Sequence, residues 1–284
     1  MDRFEPSATV AKLRAQLDHP VVDSDGHLVE VRPVAMEYIA RAGGSDIAQR
    51  FSEEQRATFL SRDWYGLTDD ERRSRWTHRP PFWGEPLRNH GLDLATASFP
   101  DLLHARLDQV GIDFTVLFPT IGINPLGYLD EDVRRACCRG LNDYYADHWM
   151  GHPDRMTPAA AIPMTTPAEA IEELDHAVGR GFKVVMLPSY VKRPLRAGGW
   201  RADTFGIDSE HDYDPVWAKC RELGLVPAFH GPGEGSTSPP RRFPICCTRA
   251  STSSASTSPC CSRPSASTRW AISTRTCAGR VAAG

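Results

Sequence analysis

MTPAAAIPMTTPAEAIEELDHAVGRGFKVVMLP, residues 156–188, contains a whole strand–helix–strand unit. Met156 to Ile162 is a short apolar run ending at Pro163, the pattern of a buried strand. Thr166-Pro167-Ala168-Glu169 has the form of a capping box with proline at the first helical position, so a helix starts there. Ile171, Leu174, Ala177 and Val178 recur at helical spacing, and Gly179-Arg180-Gly181 stops the helix. Phe182 to Leu187 is a second apolar run, closed by Pro188. Strands alternating with helices in this way make right-handed βαβ units and a parallel sheet.

The alternation continues on both sides of this stretch. Upstream, Leu102, Leu103, Ala105, Leu107 and Val110 mark a helix stopped by Gly111, and Phe114 to Phe118 is a strand ending at Pro119. Asp130 to Trp149 is a helix with Val133, Ala136, Cys137, Leu141 and Tyr144 on one face. Further back, Val21-Val22-Asp23 reads as a short strand running into the polar loop Ser24-Asp25-Gly26-His27. Downstream, 188–213 reads as a loop, and Asp214-Pro215 starts a helix that Gly224 stops. Leu225 to Phe229 is then a strand that delivers His230 at its end. Five strands precede Gly231, most of an eightfold βα barrel, which needs about 250 residues. The fold class expected is α/β, a (β/α)8 TIM barrel incomplete after about strand five, with a helical and loop insertion after strand one. Its domain plan is an N-terminal extension (1–20), a partial barrel (21–235, with 34–100 as insertion or lid) and an anomalous tail (236–284).

Composition narrows the function classes. A net charge of -3 leaves no basic surplus to neutralise phosphates, so neither nucleic acid nor an anionic membrane is an expected partner. No run approaches the roughly 20 apolar residues of a membrane span. Met1 to Leu17 mixes Asp2, Arg3, Glu5, Lys12 and Arg14 among apolar residues, which is not a secretory signal, so the cytoplasm is the expected compartment. Cys137, Cys138 and Cys220 lie in helix-patterned segments as buried thiols, and no Cys-x-x-Cys pair occurs.

In a parallel barrel, functional groups project from the C-terminal ends of strands. Asp25 and His27 are two apart, so on an extended backbone both point to one side and can offer an oxygen and a nitrogen to one cation. Glu30 is a candidate additional ligand, or an acceptor for the His27 ring. A polar turn with Asp25 as a cap would account for the same residues. His230 alone would equally be a structural histidine, but it is the second histidine at a strand end in one barrel pattern. Asp25, His27 and His230 together make a three-ligand set for a divalent metal, and three ligands with an open position suit a catalytic ion. Lys183 lies at the start of its strand, at the wrong end of the barrel for a bridging ligand. Within the insertion, Trp83, Arg88 and Asn89 are candidate substrate contacts over the barrel mouth, or else surface and packing residues. His78, His90 and His104 lack strand-end placement and read as surface residues.

Four blocks occur in an order that resembles the amidohydrolase-related family, in the branch of aminocarboxymuconate-semialdehyde decarboxylase. They are VDSDGHLVE (22–30), LDQVGIDFTVLFPT (107–120), GFKVVMLP (181–188) and DPVW (214–217) leading to His230, within a resemblance over about 20–235. The resemblance implies a barrel of the metal-dependent hydrolase type with one divalent ion, zinc by preference, and a small-molecule substrate. It implies hydrolysis or non-oxidative decarboxylation of a small carboxylated, aromatic-derived compound, and a homodimer. Asp25 and His27 match the first-strand His-x-His, with a carboxylate as a recognised variation, and His230 matches the fifth-strand histidine. The family also carries a strand-six histidine and a strand-eight aspartate; neither can be assigned, because no His or Asp follows His230. From Ser236 the chain is mainly Ser, Thr, Arg, Ala, Pro and Cys, without Asp, Glu, Lys, Leu or His. That stretch reads as a GC-rich frame translated out of register rather than as a genuine low-complexity disordered tail. The alternative function is therefore a catalytically impaired barrel fragment or a metal-binding module without enzyme activity.

Overall fold

Local signals in the sequence set most element boundaries. The computed structural model describes residues 4–56, 68–74 and 91–230. Its helices are α1 (Ala8–Arg14), α2 (Arg32–Gly43), α3 (Ser45–Arg56), α4 (Asp69–Ser74), α5 (Gly91–Ser98), α6 (Pro100–Val110), α7 (Glu131–Trp149), α8 (Pro167–Gly179) and α9 (Asp214–Leu223). Its strands are β1 (Val22–Leu28), β2 (Phe114–Pro119), β3 (Met156–Ala161), β4 (Val184–Pro188), β5 (Val191–Pro194), β6 (Trp200–Asp203) and β7 (Val226–His230). Gly111 and Gly224 end α6 and α9 in the left-handed conformation, at φ 79° and 64°, which glycine adopts without a Cβ penalty. Asp130 caps α7 by accepting from Val133 N at 3.1 Å, and Thr166 caps α8 by accepting from Glu169 N at 3.2 Å. The Glu169 carboxylate turns instead to Arg134, in a fully buried ion pair that fastens α8 to α7.

β1, β2, β3, β4 and β7 form one sheet in that order, every neighbouring pair parallel. The described residues thus form a parallel half-barrel wrapped by helices, the fold class expected. Side chains alternate between its two faces. Leu117, Ala160, Ile162, Val185 and Leu187 face the helices in the larger core, with Leu141, Tyr145 and Trp149 of α7 and Leu174 of α8. Phe118, Ala159, Ala161 and Met186 belong to a second, inner cluster, joined by Val116, Val184 and Ala228. Asn142 of α7 caps the C-terminal end of β3, donating to Ala161 O at 3.0 Å and accepting from Ala161 N at 2.8 Å.

Two differences from the sequence reading bear on the site. β1 does not stop at Asp23; it runs on through the polar DSDGH stretch to Leu28. A bulge makes this possible, since Asp23 pairs with Thr115 while Gly26, three residues later, pairs with Leu117 only two residues on. Gly26 is required there, because a Cβ would overlap the Thr115 hydroxyl and crowd Asp23 Oδ2 and Val116 O. The second difference is the antiparallel hairpin of β5 and β6 within 188–213, where the sequence pattern predicts a loop. Arg193 holds it in place, donating to Asp203 Oδ2 at 2.8 Å, Tyr213 Oη at 2.9 Å and Thr165 O at 2.7 Å. Cys137, Cys138 and Cys220 are buried thiols, as expected. Among the described residues no helix is long and apolar enough to cross a membrane.

Gly26→Ala should displace β1 from β2. The strain of overpacking, roughly 1–3 kcal/mol, should lower the thermal midpoint in calorimetry; an unchanged midpoint would show that the bulge does not need glycine.

Candidate metal centre

His27 lies on β1 and His230 on β7, the two outer strands of the five-stranded order. In a flat sheet those strands would be about 19 Å apart, four spacings of about 4.8 Å. Yet His27 Nε2 and His230 Nε2 are 3.1 Å apart. Only a strongly curved sheet lets side chains from its opposite edges meet, so this contact is a direct sign of barrel curvature. Both histidines occupy the C-terminal ends of their strands, where His27 pairs with Phe118 and His230 with Pro188.

Asp25 completes the group, with Oδ1 at 3.5 Å from His230 Nε2. One ligand atom from each of Asp25, His27 and His230 lies within 4.8 Å of the others. Two ligands of a tetrahedral ion with bonds of about 2.1 Å stand about 3.4 Å apart. The observed 3.1 and 3.5 Å from His230 bracket that spacing, and all three ligand atoms lie within 4.8 Å of one another, so the donor set is of the size that one divalent ion needs. The Asp25 side chain is 77% exposed and His230 23%, which keeps one side of the group open to solvent. Phe118 forms a wall beside it, with its ring centroid 5.1 Å from that of His230 and 6.3 Å from that of His27. Burial holds the His27 pKa below the usual histidine range, and the His230 charge adds to this, while Asp25 and Asp23 oppose it.

Glu30 does not join the group. Its carboxylate is buried and accepts from Ile121 N at 3.0 and 2.9 Å, Gly122 N at 3.0 Å and Tyr145 Oη at 2.7 Å. The residue that meets the His27 ring from behind is Thr120, whose Oγ1 is 3.5 Å from Nδ1. Sequence spacing could not reveal this contact, because Thr120 lies on a different strand end, 93 positions away. Lys183 precedes β4 and is exposed, as its strand-start position implied. His104 is half-buried, stacked on His152 at 4.0 Å. Trp83, Arg88 and Asn89, like His78 and His90, lie outside the described residues.

The amidohydrolase family model matches residues 22–267, past the 20–235 over which the sequence resemblance was read. Among solved structures, the chain is similar to 5-carboxyvanillate decarboxylase from Novosphingobium aromaticivorans, solved with manganese and 4-hydroxy-3-methoxy-5-nitrobenzoic acid. Identity is 16% and the TM-score 0.46, over 81% of this chain and 53% of that one. It is similar also to 2,6-dihydroxybenzoate decarboxylase from Rhizobium, at 18% identity and a TM-score of 0.41, over 75% of this chain and 50% of that one. An amidohydrolase from Mycobacterium avium subsp. paratuberculosis matches at 19% identity and a TM-score of 0.46, over 75% and 59% of the two chains. The chain spans about half the length of these solved structures.

The lowered pKa of His27 fixes a pH response. The folded protein refuses a proton that the unfolded chain accepts at about pH 6.5, so His27 subtracts stability as pH falls through that value. In NMR titration of the metal-free protein the His27 ring should reach its midpoint below about 6.5. A midpoint at or above that value would contradict the buried environment.

Proposed function

The chain belongs to the amidohydrolase family, and on that premise we propose that it is a metal-dependent enzyme that hydrolyses or decarboxylates a small, carboxylated, aromatic-derived compound. The observation that carries the proposal is the convergence of Asp25, His27 and His230 from two strand ends onto one point. One carboxylate and two imidazoles suit zinc or another divalent transition metal, and zinc is the ion proposed. When bound, such an ion polarises a substrate oxygen and offsets negative charge that develops on it. His27 and His230 hold the inner side of the site through their Nε2 atoms, and Asp25 holds the solvent side. Phe118 gives the substrate an apolar surface next to the polar group, the combination expected of a site for a ring that carries a carboxylate.

The two chemistries differ in the bond broken. Hydrolysis adds water across an acyl or related bond, whereas decarboxylation breaks a carbon–carbon bond, releases CO2 and returns a proton to carbon. A second reading, a metal-binding protein without turnover, draws support from the sequence beyond His230, which holds neither histidine nor aspartate. Residues 236–284 are proposed to be an out-of-frame tail, and translation of the same DNA in its other two frames would test that.

Purified chain supplied with zinc should hold one ion per protein by elemental analysis, and turnover assays scoring CO2 release against hydrolysis should assign the chemistry. With the frame restored after residue 235, Asp25→Ala and His230→Ala should each lose metal and activity together. Full metal occupancy in both variants would show that the ligands are wrong; stoichiometric metal without turnover on either class of substrate would favour the second reading.

A further inference from the structure

His27 turns Nε2 toward His230, so the state of its other nitrogen decides whether Nε2 presents a lone pair. Nδ1 faces Thr120 Oγ1 at 3.5 Å. The single proton of that hydroxyl is already committed, donated to Leu28 O at 2.6 Å. Toward His27 the hydroxyl oxygen is then left to accept, which favours the tautomer with the ring proton on Nδ1. Thr120 is 6% exposed, which limits competition from water for this geometry.

Thr120 is itself held by a second device. The next two residues, Ile121 and Gly122, donate their amides to Glu30, three positions beyond His27. Tyr145 of α7 closes the arrangement from the helix layer, donating to Glu30 Oε1. Gly122 lets the loop approach this closely, because a Cβ there would overlap the Tyr145 hydroxyl. The segment after β1 and the segment after β2 are thereby tied together just behind the His27 ring.

From this geometry we infer that Thr120 is a positioning residue for His27, fixing the ring with Nε2 as its lone-pair atom, and that Glu30 holds Thr120 in place through the Ile121 and Gly122 amides. The inference rests on the reading of His27 as a metal ligand. It gives Glu30 a role in the site that neither direct ligation nor a direct bond to His27 provides. Histidine ligands commonly depend on such partners, whose loss costs about 10- to 100-fold in metal affinity.

Two measurements on the full chain test it. Competitive chelator titration should show zinc affinity reduced about 10- to 100-fold in Thr120→Val, which keeps the shape and removes the acceptor, and restored in Thr120→Ser. Equal affinity in Thr120→Val and wild type would overturn the inference. Long-range proton–nitrogen NMR on the metal-free wild type needs no folded variant. It should show His27 protonated on Nδ1, and a proton on Nε2 would overturn the inference. A wild-type chain that binds no zinc while His27 carries its proton on Nδ1 would sink the metal-site reading and leave the Thr120 contact standing.

Discussion

The contact between His27 and His230 depends on curvature. Each residue stands on an outer strand of a five-stranded parallel sheet, and the sheet must bend until side chains from those strands touch. Parallel pairing with right-handed crossovers supplies the bend, because twisted strands wrapped by helices on one side close toward the other. The inner face has to be small enough to allow it. Ala159 and Ala161 on the central strand, with Ala228 beside His230, keep that face low between the two histidines. The outer face carries the bulk, where Trp149, Tyr145, Leu141 and Leu174 pack beneath the sheet.

Around that contact the chain adjusts locally rather than globally. The bulge at Asp23–Gly26 lets a strand pass through a sequence rich in polar residues and still place Asp25 near His230. Thr120 backs the His27 ring, and Glu30 secures the loop that carries Thr120. Burial pushes the Glu30 pKa up, and the hydrogen bonds from Tyr145, Ile121 and Gly122 offset only part of that rise. Each of these groups is placed by residues distant in sequence, and none could hold its position on an isolated βα unit.

Much of the frame was legible from the sequence because its signals are local. Gly111, Gly224, Asp130 and the Thr166-Pro167 pair mark helix ends through the backbone conformations and caps they favour. Four of the five main strands follow from apolar runs closed by proline or histidine, whereas only the first residues of β1 carry such a signal and the rest of it is polar. The three residues at the candidate centre were legible as strand-end positions, though their mutual distance was not. The β5–β6 hairpin escaped because its strands are four residues long, polar, and interrupted by Pro194 and two glycines. Its register depends on the buried Arg193–Asp203 pair, a tertiary interaction with no local signature. The sequence marks Glu30 as a residue of interest, but its partners lie 91 to 115 positions away, beyond the reach of spacing.

The central claim is that one divalent ion is held by two imidazoles and a carboxylate drawn from opposite edges of the sheet. The chain also carries Cys246, Cys247, Cys260, Cys261 and Cys277, which offer a rival set of ligands of a different kind. X-ray absorption at the zinc edge on the loaded protein separates the two. The account predicts a first shell of nitrogen and oxygen at about 2.0–2.2 Å, with the outer scattering of imidazole rings; a sulfur shell at about 2.3 Å would contradict it.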